Sequence, residues 1–317
     1  MTALVLVPLA GCDDGVDGTG STGSGSTGTG SGESYVFVSE FGTFGMGDGQ
    51  LDKPKGLALG PQGRIVIPDF GNSRIELYDV GGAFLSTFGA PGKDPGKLDR
   101  PVSVAVRPSG EILVADFGNN RVQVFDATGM FLFQFGTEGT GDGQFKNPAG
   151  IAVDAAGNIY VSDGNGSRVE KFKPNGTYLG QFGSSGSGDG QFLYPKSIVP
   201  DAAGNIFVVD NGHNRVQKFN AALVYQSQFG GAGTGDGQFD SPRGMAIDAA
   251  GNLYVSDQNH DRVQKFDPSG AFITKFGVSG SEPGKMDEPA GLAVDTNGDI
   301  LVADELNSRI QRWRPAM

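Results

Sequence analysis

The 317 residues contain one cysteine, Cys12, one tryptophan and two histidines, His213 and His260. A single cysteine excludes an intrachain disulfide. Two histidines cannot by themselves fill the three protein positions of a catalytic zinc site. No apolar run approaches the roughly 20 residues that cross a bilayer as a helix, and no window shows the 3.6-residue apolar period of an amphipathic helix. Basic residues are also short: 24 Lys and Arg face 36 Asp and Glu, for a net charge of -12. An acidic body repels phosphate backbones, which argues against nucleic-acid binding.

Glycine, by contrast, is abundant at 54 residues, alongside 37% hydrophobic residues. This is a turn-rich globular composition in a chain long enough for a large core. The N-terminus reads MTALVLVPLAGC. Its apolar stretch suits the hydrophobic region of a signal peptide, and Leu9-Ala10-Gly11-Cys12 resembles the lipobox of bacterial lipoproteins. That resemblance implies cleavage before Cys12 and lipidation of its sulfur; the pattern departs from it in having no Lys or Arg ahead of the apolar run. Residues 13–34 are Gly, Ser, Thr and acid with almost nothing to bury, the composition of a disordered tether. The expected layout is a signal peptide over 1–11, a lipidated Cys12 with tether over 12–34, and a folded body over 35–317.

The body is periodic. A proline recurs at Pro54, Pro101, Pro148, Pro195, Pro242 and Pro289; an aspartate follows at Asp69, Asp116, Asp163, Asp210, Asp257 and Asp304; an arginine follows at Arg74, Arg121, Arg168, Arg215, Arg262 and Arg309. Every step is 47 residues, so six units are present without an insertion or deletion. Each unit holds four short β-branched and aromatic runs split by Gly, Asn and Asp turns. Four strands per repeat, six times over, is the pattern of an all-β, six-bladed β-propeller with four antiparallel strands per blade. One column of the first strand is small throughout (Gly56, Ser103, Gly150, Ser197, Gly244, Gly291), as crowding at the axis requires. The last unit lacks a fourth strand, while Tyr35 to Gly42 aligns with the fourth-strand segments. The N-terminal strand is therefore expected to complete the sixth blade and close the ring.

The phrase NPAGIAVDAAGNIYVSDGNGSRVEKF, from Asn147 to Phe172, resembles the NHL repeat, and all six units follow its pattern. The resemblance implies a propeller but no single activity. Proteins of that family include protein-binding scaffolds, RNA readers, ectodomains of bacterial sensor kinases and a metal-dependent peptide-amidating lyase.

Residues constant in all six units read as architecture, so function is sought where units differ. The position after the proline reads Lys55, Val102, Ala149, Lys196, Arg243, Ala290; the position after the aspartate reads Phe70, Phe117, Gly164, Asn211, Gln258, Glu305. Two residues further the loop reads Asn72, Asn119, Gly166, His213, His260, Asn307. The candidate ligand-binding set is Lys55, Phe70, Phe117, Lys196, Asn211, His213, Arg243, Gln258 and His260: aromatic on blades one and two, cationic and hydrogen-bonding on blades four and five. Such a face suits an anionic or amphipathic ligand.

The expected function is a lipid-anchored, extracytoplasmic binding or scaffold module for a protein or a cell-envelope glycan or peptide. It is expected to be monomeric, membrane-attached through Cys12, free of cofactor and without nucleic-acid partner. The alternative is a metal-dependent lyase or hydrolase resembling the amidating lyase, with His213, His260 and Glu305 holding zinc or calcium.

Overall fold

The computed structural model describes residues 32–316, which form six four-stranded antiparallel sheets arranged as the blades of a propeller. Blade two is representative: its strands are Pro101–Val106, Ile112–Asp116, Arg121–Phe125 and Phe131–Phe135, innermost to outermost. Each inner strand of blades two to six opens on the repeat proline, a position where the missing N–H takes no bond from the ladder. Blade one differs slightly. Its inner strand shortens to Ala58–Leu59, with Pro54 held by an isolated bridge to Asp69.

The core lies between blades rather than within one. Six apolar clusters are present, each drawing side chains from two neighbouring sheets; one packs Leu113, Val122 and Val124 of blade two on Ile151, Ile159 and Val161 of blade three. The Phe of each outer strand adds an aromatic joint to the next blade. Phe88 meets Phe125, Phe135 meets Phe172, Phe182 meets Phe219 and Phe229 meets Phe266 at ring centroid distances of 4.7–4.8 Å. At the axis the small column is obligatory. A Cβ on Gly244 would stand 2.0 Å from the Ala290 carbonyl oxygen, and one on Gly291 2.5 Å from Gly56 Cα.

The ring closes as the sequence predicts. Strand Tyr35–Phe41 pairs antiparallel with Arg309–Pro315 and is the outer strand of the sixth blade. The loop Asp and Arg of every unit pair at 2.7–3.3 Å. Each aspartate accepts in addition the backbone N–H seventeen residues before it, as Asp69 does from Asp52 at 2.8 Å. Each arginine reaches back to the loop preceding the proline: Arg74 donates to the carbonyls of Met46, Gly47 and Gln50. These bonds put the loop before the first strand and the loop between strands two and three on one face. The lipobox, Cys12 and most of the tether lie outside the described residues.

Candidate functional site

The post-proline residues ring the axis on this loop face, because each begins the innermost strand of its blade. Around the circle the order is Lys55, Val102, Ala149, Lys196, Arg243, Ala290, so Lys196 of blade four stands across the axis from Lys55 of blade one. Next along each strand come the small column and then an apolar one: Leu57, Val104, Ile151, Ile198, Met245 and Leu292. Together with Phe70 and Phe117 these residues, apart from Ala290 and Gly150, line a cavity of about 280 Å³ at the mouth of the channel. The apolar column forms its floor and walls.

Charge in the mouth is unevenly placed. Glu305 is 3% exposed and bridges the blades on either side of its own. Its Oε1 accepts from Lys55 Nζ at 2.5 Å and its Oε2 from Arg243 Nη1 at 2.6 Å. The bridge is possible because Ala290, the post-proline residue of that blade, is small and fully buried. Lys55 Nζ also lies 4.5 Å from the Phe70 ring centroid, a cation–π contact. Lys196 has neither arrangement. Among the described residues its ammonium has no hydrogen-bond acceptor and no carboxylate partner. Burial, then the neighbouring Arg243 and Lys55 charges, bring its pKa down to about 8, and Glu305 opposes them only in part. Burial, then Arg243, likewise lowers Lys55. Three cations and one carboxylate leave the mouth with an excess of two positive charges inside an acidic protein.

Of the nine side chains expected to bind ligand, Lys55, Phe70, Phe117, Lys196 and Arg243 converge on this cavity. Four do not line it. Asn211 donates to Ser241 Oγ at 3.0 Å and to the Pro242 carbonyl at 2.9 Å, tying blade four to blade five. Gln258 donates to Glu288 Oε2 at 2.8 Å and ties blade five to blade six. His213 Nδ1 lies 3.0 Å from Asp210 Oδ2 and His260 Nδ1 2.9 Å from Asp257 Oδ2. Asn72, Asn119 and Asn307 bond the same aspartates in blades one, two and six. The imidazoles therefore stand in for loop asparagines, each turned to its own blade.

The alternative ligand set is not brought together in this arrangement. His213, His260 and Glu305 do not converge: each histidine is turned to its loop aspartate, and Glu305 is neutralised by two cations. Among the described residues no three His, Cys, Asp or Glu side chains gather as a metal-holding group. The structural role of Glu305 was missed by sequence reasoning, although its signal was present. It is the one acid in its column, on the blade flanked by Lys55 and Arg243.

Comparison with known proteins follows the same geometry. Residues 98–125, 145–172, 239–266 and 286–313 match the NHL repeat. These four segments are NHL repeats. These four segments fall in blades two, three, five and six; blades one and four, with Pro68 and Val199-Pro200, build the same sheet. A stretch of 52 residues is 38% identical to the B-box type zinc finger protein ncl-1 of Caenorhabditis elegans, covering 16% of this chain and 6% of that protein. Among solved structures, a streptogramin B lyase superposes with a TM-score of 0.62 at 15% identity, covering 89% of this chain and 98% of that one. An auxiliary nutrient binding protein from Bacteroides thetaiotaomicron VPI-5482 superposes with a TM-score of 0.66 at 14% identity, over 90% and 77%. At these identities the likeness is one of fold. A six-bladed propeller thus frames the cavity, and the chemistry there rests on the side chains that differ between blades.

Proposed function

We propose that this protein is an exported, lipid-anchored binding module whose propeller mouth takes up a small amphipathic anion, such as the acidic end of a cell-envelope peptide or glycan. The observation that carries the reading is the polarity of the cavity: Lys196 and Arg243 on one side, Phe70, Phe117 and Val102 on the other. Arg243 donates to Glu305 through Nη1, and among the described residues its remaining N–H groups have no protein acceptor. Lys196 has all three of its donors available. A carboxylate placed between them gains charge-assisted hydrogen bonds in a partly dry site, while an aryl or alkyl portion covers the aromatic wall.

Anchoring fits the same picture. The outer strand Tyr35–Phe41 runs toward the loop face, so the chain enters the propeller at Glu33 and Ser34 on the opposite face; Ser34 accepts the Ala316 N–H at 2.8 Å there. A lipid on Cys12 would then attach the propeller through the face opposite the cavity and leave the cavity free to turn away from the bilayer. The nutrient-binding relative in fold supports a binding role for such a scaffold by analogy alone.

The test is a thermal-shift titration of the full mature chain with 3-phenylpropionate and with the matching neutral alcohol. The acid should raise the melting temperature in a saturable way and the alcohol should not; the Lys196→Gln, Arg243→Gln double variant should lose the response. Equal shifts from acid and alcohol, or none from either, would overturn the reading.

A further inference from the structure

Lys196 is the one lysine of the mouth whose amine is not engaged by the protein. Lys55 is held by Glu305 and by the Phe70 face. Lys196 instead faces two like charges, Arg243 on the neighbouring blade and Lys55 across the channel, with Glu305 beyond them, and its flank on blade three is the methyl of Ala149. The amine is therefore aimed into a cavity that supplies guanidinium donors for an anion beside it and no acceptor for its own protons. Those two features together favour attack on an electrophile carried by the anion rather than simple ion pairing.

We propose that Lys196 is a nucleophilic amine that forms an imine with an anionic carbonyl compound, an aldehyde or keto acid, held by its carboxylate on Arg243. This rests on the reading of the cavity as an anion site and names the functional group that such a ligand carries. The neutral Nζ lone pair adds to the carbonyl carbon, and the C=O π pair moves to oxygen, which takes a proton. The resulting carbinolamine loses that oxygen as water, with a proton from nitrogen, to leave a carbon–nitrogen double bond. No oxidant, reductant or metal enters the balance. With a pKa of about 8, roughly a quarter of the amines are neutral at pH 7.5, against about one in a thousand for an ordinary lysine.

Glyoxylate is the probe, with cyanoborohydride to trap the imine and peptide mapping to locate the product; glycolaldehyde, of similar size and without charge, is the control. Glyoxylate should label Lys196 about tenfold or more faster than the exposed Lys53 and Lys93, and this preference should shrink with glycolaldehyde, which lacks the carboxylate held by Arg243. Excess 3-phenylpropionate should protect Lys196 in the wild-type chain, a readout that needs no variant. Lys196→Arg should abolish labelling at this position. If the acid binds but Lys196 reacts no faster than Lys53, the imine proposal is wrong and the anion site stands. If Lys196 is neither labelled nor protected and the acid gives no shift, both fall.

Discussion

The Phe41 and Tyr78 rings pack at a 50° tilt with centroids 4.9 Å apart, joining the outer strand of the sixth blade to the third strand of the first. The contact is the counterpart of the Phe–Phe joints elsewhere, but its outer strand is the one that pairs with Arg309–Pro315 to close the ring. Phe41→Ala should therefore cost about 2–3 kcal/mol, measured by denaturant unfolding, because a half-buried ring and an aromatic pair are both lost. Phe44→Ala, three residues on, removes a ring that is 73% exposed and should change stability by less than about 0.5 kcal/mol. Deleting residues 35–41 should unfold the propeller as a unit. A truncated protein that melts within a degree of the intact one would mean the ring closes without this strand.

Two blades carry a buried glutamate where the other four carry glutamine. Gln123 donates to Asp116 Oδ2 at 3.0 Å and to the Lys97 carbonyl, and accepts the Gly96 N–H. In blade three Glu170 accepts the Gly143 N–H but has no proton for Asp163 unless protonated, and the Arg168–Asp163 contact lengthens to 3.3 Å. Burial, offset in part by Arg168, raises the Glu170 pKa to about 7; burial likewise raises Glu76 to about 7. A raised carboxyl pKa means the folded state holds the proton more tightly than the unfolded one. Its contribution is complete below the ordinary value of 4.5 and is lost as pH climbs toward 7. Glu170→Gln should accordingly stabilise the protein by about 1–2 kcal/mol at pH 8 and flatten its stability between pH 4.5 and 7. Melting curves across roughly pH 4 to 9 decide this; a variant that melts lower than wild type at pH 8 contradicts it.

Glu305 neutralises two cations at once, so its loss should be felt in stability and in anion affinity together. Glu305→Gln should cost about 2–4 kcal/mol at neutral pH, less than for a fully enclosed pair because Lys55 and Arg243 keep some contact with water. Sulfate should then stabilise the variant more than the wild type, since an outside anion can take the vacated position. Equal sulfate responses from the two proteins would show that the mouth does not collect anions.

His213→Asn and His260→Asn should be close to neutral. Asparagine makes the same bond to the loop aspartate in three other blades, and Asn72 adds a second bond to the Gly45 carbonyl at 2.8 Å. Unfolding measurements should move by less than about 1 kcal/mol, and the response to 3-phenylpropionate should be retained. A tenfold loss of affinity in either variant would restore a ligand role to the imidazoles.

The sequence by itself determined the number of blades, the closing strand and the loop framework. Each rests on a strict 47-residue register, and a rotation that repeats six times turns sequence spacing directly into position on the ring. It also separated constant from variable positions, which is how Lys55, Phe70, Phe117, Lys196 and Arg243 could be named before their meeting was known. Only the tertiary structure decided which variable side chains face the axis. Post-proline residues begin the innermost strand and point into the mouth, whereas Asn211 and Gln258 turn to the next blade and the histidines to their own aspartates. Glu305 shows the limit most clearly. Its column marks it as an acid with no repeat partner, but its role depends on Lys55, 250 positions away along the chain, and on Arg243, 62 away. Those distances become single hydrogen bonds only because blade six closes between blades five and one. The same closure leaves Lys196 across the channel without a carboxylate of its own.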